Sequence, residues 1–362
     1  RGTLNEDLLK LILLNVRDAR ERRGDINAQI ATVNYAEHRI IGLLEKYGPE
    51  TVLAAVEEIK AYSERRIRAA LAAIPDGVYE GEDFMDGDGR GAGQLRFHAR
   101  VTVDGTDITV DLSESADQVP SAVNAPISVT AASVWFAVKA LTDPYAPPNH
   151  GCYRPIRIIA PEGKIVNPRF PAAVACANPE TCFRIADVVY KALAAVTPTR
   201  NAAGSYGTMC SNVSSGVDRR SGRPFIFVEN YCGGWGASGD TDGRSGMKFG
   251  MSNSLSMPSE LFETVYPIIL ESREIIPDSC GGGRHRGGCG IRYRHRVPAW
   301  AANVTWTIIF ERTETPPWPL EGGLPGRPAR IYVERADGRV EDLFTITGGR
   351  STGKASAIAL GV

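Results

Sequence analysis

The sequence predicts an α+β protein, with a helical N-terminal arm followed by a strand-rich region threaded by glycine-rich loops. Three observations carry this. Apolar residues recur at helical spacing to about residue 74, the period then switches to two, and glycine, serine and aromatic residues dominate from Pro198 to about Gly250. The 362 residues suffice for about two domains of ~150 residues each. The period switch divides them into an arm, residues 1–77, and an α+β region, residues 78–362.

In the arm, Thr3 and Glu6 have the spacing of a capping box. Leu8, Leu9, Ile12, Leu13 and Val16 follow at helical intervals. Gly24-Asp25 predicts a break. A second helix then carries Ile30, Val33, Ile40, Ile41 and Leu44 on one face and ends at Gly48. Pro49 opens a third helix bearing Val52, Leu53, Val56, Ile59, Ile67, Leu71 and Ile74, which Pro75-Asp76-Gly77 stops. Long helices with short breaks suggest an arm that packs on another subunit or domain. The chain starts with Arg1 rather than Met and enters a helix almost at once, which reads as the continuation of a longer polypeptide.

Beyond the arm, Leu95, Phe97, Ala99 and Val101 alternate, Asp104-Gly105 turns the chain, and Ile108, Val110 and Leu112 return it. This is a hairpin pattern, because glycine accepts the positive φ of such turns. Residues 129–141 predict a buried helix, and Ile156, Ile158 and Ile159 a short strand. In NPETCFRIADVVYKALAAV, Asn178 is expected to cap a helix with Pro179 at its first position. YPIILESREI, GIRYRHRV, VTWTIIFER and ARIYVE read as strands.

Composition narrows the function. A formal net charge of −1 favours neither nucleic acid nor an anionic membrane as partner. No apolar run approaches the ~20 residues of a membrane helix, and no signal peptide is visible. Seven cysteines, residues 152, 176, 182, 210, 232, 280 and 289, are scattered without a C-x-x-C pair. That is the pattern of reduced thiols in a cytoplasmic protein.

Two glycine-rich stretches draw the chemistry. PDSCGGGRHRGGCG, residues 277–290, offers Cys280, His285 and Cys289 as ligand-type side chains. Structural zinc wants four ligands in closely spaced pairs, and His295 falls in a strand-like run, so no metal is assigned to this chain's own residues. Gly281, Gly282 and Gly283 beside Arg284 and Arg286 fit an anion-binding or backbone-contact loop. A tight turn needing positive φ accounts for the same glycines. In VENYCGGWGASGDTDGRSG, residues 228–246, the strand PFIFVEN runs into a loop carrying Gly233, Gly234 and Gly236, with Glu229, Asp240, Asp242 and Arg244 around it. A loop of this length inside a domain is functional or mobile. NPET places Asn178 and Glu180 at a helix N-terminus, where free N–H groups attract anions, although capping alone explains Asn178.

The candidate catalytic residues are therefore the carboxylates Glu229, Asp242 and Asp278, which flank backbone-permissive loops and are able to orient water. The substrate-binding candidates are Asn178, Glu180, Gly233, Gly234, Gly236, Gly281, Gly282, Gly283 and Arg284. No G-x-S-x-G elbow or Walker-type loop occurs; GGRSTGKAS has the wrong spacing. His38, His98 and His150 are dispersed and read as structural or surface residues.

The ordered series RRGDINAQIATVNYAEHRI, IVNPRFPAAV, NPET, ENYCGGWGASGDTDG, MPSELFE, PDSCGGGRHRGGCG and FERTETPPWPLEGGLPG resembles the hydantoinase B/5-oxoprolinase family across nearly the whole chain. The resemblance implies part of a B-type subunit of an ATP-dependent hydrolase of cyclic amides (hydantoins, lactams or 5-oxoproline). Such a subunit works in a hetero-oligomer beside an A-type ATPase subunit of actin-like fold, through which ATP enters. Phosphorylation of the amide oxygen turns a poor leaving group into a good one before water attacks. The family also contains a large subunit of ATP-dependent ketone carboxylases of the acetone and acetophenone type. The apolar arm suits, alternatively, an assembly component without an active site of its own. Family members carry an upstream half with an H-x-x-D element and a further His that look like metal ligands. No such segment occurs here, so a divalent metal is expected from a preceding segment. The tail TGGRSTGKASAIALGV departs from the long glycine run of many relatives, which leaves its role open.

Overall fold

The computed structural model describes residues 2–16, 18–248 and 250–342, and the backbone of 355–361. The chain divides into two units, residues 1–62 and 63–362. The first is helical: α1 (Glu6–Leu14), α2 (Ala19–Tyr47) and most of α3 (Pro49–Leu71). Asn5 caps α1, its side chain accepting the Leu8 N–H at 3.0 Å. The expected Thr3–Glu6 box does not form, because Glu6 is already the first helical residue. The helix break also moves. α1 ends at Leu14 and α2 starts at Ala19, where Asp18 accepts the Glu21 N–H at 3.2 Å, and α2 runs unbroken through Gly24. A helical glycine costs only ~1 kcal/mol relative to alanine, and Arg22 pairs with Asp25 across it at 2.8 Å. α2 buries no residue, and Val33, Tyr35, Ile40, Leu53 and Ile59 are exposed.

The second unit begins with the end of α3, which buries Ser63, Ile67 and Leu71. It continues through β1 (Gly77–Met85), β2 (Leu95–Asp104), β3 (Asp107–Asp111), α4 (Ile127–Leu141), β4 (Ile156–Ile159) and α5 (Cys182–Leu193). The strands form one sheet in the order β1-β2-β3-β4, antiparallel except for the parallel β3–β4 pair. Asp104 pairs with Asp107 across a turn in which Gly105 has φ +57°. The alternation at Phe97, Ala99 and Val101 buries one face of the sheet against α4 and α5.

Entry into α5 differs from the expected Asn178 cap. Residues Ala177–Thr181 make a wider π-turn, and Asn178 makes no side-chain cap. Tertiary contacts override local preference here: Thr181 Oγ1 donates to the Val123 carbonyl, and the Met209 N–H donates to the Pro179 carbonyl at 3.0 Å.

The remainder is built from β5 (Ser211–Asp218), β6 (Arg223–Asn230), α6 (Ser259–Val265), β7 (Ile269–Ile275), β8 (Ile291–Arg296), β9 (Ala301–Ile309), β10 (Arg330–Arg335), β11 (Val340–Asp342) and β12 (Ala355–Gly361). They form a sheet ordered β6-β5-β9 and another ordered β11-β10-β12-β8-β7. A second core gathers Phe227, Tyr231, Phe262, Tyr293, Trp306 and Ile331, with Tyr231 stacked on Tyr293 at 4.1 Å. His295 lies inside this core, and burial drives its pKa down to about 3, so it is neutral. Of the C-terminal tail, residues 347–354 and 362 lie outside the described residues. Among the described residues no helix is long and apolar enough to cross a membrane.

Candidate active-site cavity

Three connections of the second unit converge. The stretch after β6 brings residues 234–239, the β7–β8 connection residues 281–288, and the β9–β10 connection residues 317–327. With Lys191 of α5 they wall a cavity of about 740 Å³, within the ordinary size of small-molecule sites. Main-chain hydrogen bonds stitch the walls together. Tyr206 N–H donates to Gly234 at 2.9 Å, Gly288 N–H to Trp235 at 2.8 Å, Gly243 N–H to Arg286 at 2.8 Å, and Leu324 N–H to Gly282 at 2.7 Å.

These bonds explain the glycines. A Cβ on Gly234 would lie 2.0 Å from the Gly288 carbonyl oxygen, and one on Gly281 would lie 2.2 Å from that of Leu324. Neither glycine has positive φ. They are required because backbone meets backbone, not because the chain turns.

Gly234, Gly236, Gly281, Gly282, Gly283 and Arg284 all line the cavity. The structure thus brings together two loops that lie far apart in sequence. Gly233 packs instead against the Tyr206 ring. Asp242 bridges the two loops: its carboxylate accepts the Arg286 N–H at 3.1 Å and stands 3.7 Å from His285 Nδ1. Glu229 lies on β6, 3.7 Å from Arg273; burial raises its pKa against the pull of Arg273 and Lys248. Asp278 adopts φ +55° just before the glycine loop. The Asn178 carbonyl accepts the Cys182 thiol at 2.7 Å. Glu229, Asp242, Asp278, Asn178 and Glu180 are not among the residues lining this cavity.

Several cavity residues escaped the sequence reading, Trp318 and Lys191 among them. Trp318 is buried, and its indole N–H has no hydrogen-bond partner among the described residues. Lys191 donates to the Glu82 carbonyl at 2.7 Å and sits 5.7 Å from the centre of the Trp318 ring.

Arg312 also lines the cavity and leads into a buried charge cluster. It donates to both oxygens of Asp83, at 3.2 and 2.8 Å, and to Asp187 at 2.8 Å. Arg184 adds a bond to Asp187 at 3.0 Å. Burial works against the Asp83 charge, but Arg312 and Arg184 outweigh it and hold its pKa low. Asp187, more deeply enclosed, is pushed up to about 6 by burial against the same arginines. Glu311 is raised to about 8, mainly by burial, while its carboxylate accepts the Asp86 N–H at 2.7 Å. Burial and the neighbouring Glu311 raise Glu180 well above its ordinary value. Neither Glu180 oxygen has a partner at regular hydrogen-bond geometry, though Thr208 and the Met209 N–H act to lower its pKa. Asp86 keeps its charge despite burial, because the 313–315 segment donates to it from the hydroxyls of Thr315 and Thr313 at 2.6 and 2.8 Å and from backbone N–H groups.

A signal for this cluster was present. Asp83 shares a strand face with the buried Gly81 and Met85, and Arg184 and Asp187 stand three apart on a helix that buries nearly every residue. Charge at core positions implies paired charge. Among the described residues no group of three or more His, Cys, Asp or Glu is placed to hold a metal ion.

Fold and cavity together define an α+β protein whose pocket is walled by closely packed main chain. The chain belongs to the hydantoinase B/oxoprolinase family, whose model matches residues 1–359. An uncharacterized protein of Methanocaldococcus jannaschii is 37% identical over 332 residues, covering 92% of this chain and 57% of that protein. The caprolactamase subunit beta of Pseudomonas jessenii is 30% identical over 298 residues, covering 81% of this chain and 51% of the subunit. The crystal structure of the ATP-dependent caprolactamase from Pseudomonas jessenii superposes with a TM-score of 0.85 at 27% identity, over 100% of this chain and 63% of that one. The chain thus spans 51% and 57% of the length of these two relatives.

Proposed function

We propose that this chain is part of a B-type subunit of an ATP-dependent cyclic-amide hydrolase, and that its glycine-walled cavity holds the ring of a hydantoin, lactam or oxoproline. The observation that carries this reading is the convergence of three sequence-distant loops on one cavity, in a chain similar to a caprolactamase subunit. A wall of packed main chain presents a rigid surface suited to orienting a small planar amide. Trp318 supplies ring surface to the wall, with an unpaired indole N–H sealed behind it that an amide oxygen reaches only if the ring turns, and Lys191 and Arg284 supply positive charge to the lining. Asp242 acts by holding the two glycine loops in register. Glu229 and Asp278 are carried as polar groups at the base of those loops, without a proton-transfer role.

In this reading an A-type ATPase partner supplies the phosphoryl chemistry in a cytoplasmic hetero-oligomer, and a divalent metal is held by residues outside this chain's described part. This chain binds and orients the ring. The test is ADP release by the assembled complex with caprolactam, hydantoin or 5-oxoproline. Lactam-dependent turnover that falls on substitution of cavity residues is expected. Turnover only with a ketone and bicarbonate would assign a carboxylase, and turnover indifferent to cavity substitutions would leave this chain an assembly role.

A further inference from the structure

Cys280 and Cys289 lie on the two arms of the neck of the β7–β8 loop. Three bonds clamp that neck: Ile276 N–H to the Gly290 carbonyl at 2.9 Å, Gly290 N–H to Ser279 Oγ at 2.8 Å, and Gly287 N–H to the Gly281 carbonyl at 2.9 Å. The Cys289 N–H is held by Ser245 Oγ at 2.9 Å. Cys280 Cβ lies 3.8 Å from where a Cβ on Gly287 would sit. Within this clamp each thiol lies close enough to shift the other's proton affinity. The two cysteines thus lie on facing arms of one clamped neck, the placement a bridging disulfide needs. All seven cysteines are free thiols in this structure, and Cys280 is one of two that are only half-buried.

We infer that Cys280 and Cys289 form a reversible dithiol–disulfide couple that locks the neck of the glycine loop walling the cavity. The oxidant class is a low-molecular-weight disulfide. The Cys289 thiolate attacks one of its sulfurs, breaks its S–S bond and releases one small thiolate, leaving a mixed disulfide. The Cys280 thiol loses its proton and attacks the Cys289 sulfur, displacing the second small thiolate. Two protein thiols and one small disulfide thereby become one protein disulfide and two small thiols. Chemistry favours this pair. Burial works against both thiolates, but the neighbouring Cys280 and Ser279 outweigh it at Cys289 and hold that thiol below its ordinary range. Burial raises Cys182 and Cys210 instead. The lock fixes the segment that presents Gly281, Gly282 and Gly283 to the cavity. The couple does not rest on the hydrolase reading, since its readout is chemical.

The experiment equilibrates the native protein with graded ratios of oxidised to reduced glutathione, quenches by alkylation and maps the peptides without reduction. The expected result is a Cys280–Cys289 cross-link with loss of two of the seven thiols, reversed by dithiothreitol. Cys280→Ser and Cys289→Ser should each abolish the cross-link. Separate alkylation of both residues at every ratio, a stable glutathione adduct without closure, or a cross-link through any other cysteine would overturn the assignment. The wild-type map decides the matter even if a variant fails to fold.

Discussion

Arg312 grips both carboxylate oxygens of Asp83, at 3.2 and 2.8 Å, across 229 residues of chain. Both side chains are almost wholly buried, so neither charge has water to fall back on. Asp83→Ala would leave Arg312 short of a partner inside the fold, and a loss of ~3–5 kcal/mol is expected. Removing Glu274 from its half-exposed pair with Arg292 should cost under ~1 kcal/mol. Denaturant melts of the two alanine variants check the contrast; equal losses would refute the buried-pair account.

Glu311 predicts a pH dependence. Its folded pKa of about 8 stands above an ordinary 4.5, so the native state retains a proton that the unfolded chain gives up. The stability this contributes is complete below pH 4.5 and is lost as pH rises through 8. Between pH 6 and 8 the wild type should lose roughly 2 kcal/mol from this group. Glu311→Gln keeps an acceptor for the Asp86 N–H and should make the curve shallower, while Glu180, also raised by burial, keeps part of the slope. Asp83 and Asp86, held low, act in the opposite direction and only in acid. Thermal melts across pH 6–8 that run parallel for both proteins would contradict the assignment.

Neighbouring glycines should respond differently to the same methyl group. Gly281→Ala drives a Cβ to 2.2 Å from the Leu324 carbonyl oxygen, whereas Gly282→Ala meets nothing closer than a Leu324 methyl at 3.6 Å. The first should cost ~1–3 kcal/mol by forcing the walls apart and lower lactam-dependent turnover. The second should be nearly silent. Melting temperature and steady-state kinetics of both variants settle it.

Trp318→Phe separates binding from folding. It removes a buried N–H without a partner among the described residues and keeps a ring beside Lys191. Stability should be unchanged or slightly higher, because an unsatisfied donor is a cost. If the indole N–H meets the amide oxygen, kcat/KM should fall about ten-fold, corresponding to ~1.4 kcal/mol. A lowered melting temperature with intact kinetics would remove Trp318 from the site.

Periodicity made much of the fold legible. The β2–β3 hairpin, α4 and the strands β7 to β10 all appear where alternation or helical spacing places them, since burial of one face writes itself into local sequence. The Asn178 cap and the Gly24 break failed because local preferences of about 1 kcal/mol yield to tertiary hydrogen bonds and to helix continuity. The glycine loops were visible as glycine, but whether they turn, bind an anion or pack closely is not encoded in their spacing.

By itself the sequence determined the α+β class, the helical arm, the β2–β3 hairpin and the strands β7 to β10, and the family. Those follow from patterns that repeat within a few residues and from motifs in a shared order. Only the tertiary structure decided that residues 234–239, 281–288 and 317–327 enclose one cavity, and that Asp83, Asp187, Arg184 and Arg312 share one buried network. Main-chain approach and charge pairing depend on distance in space, which residues 229 positions apart do not record in their local sequence.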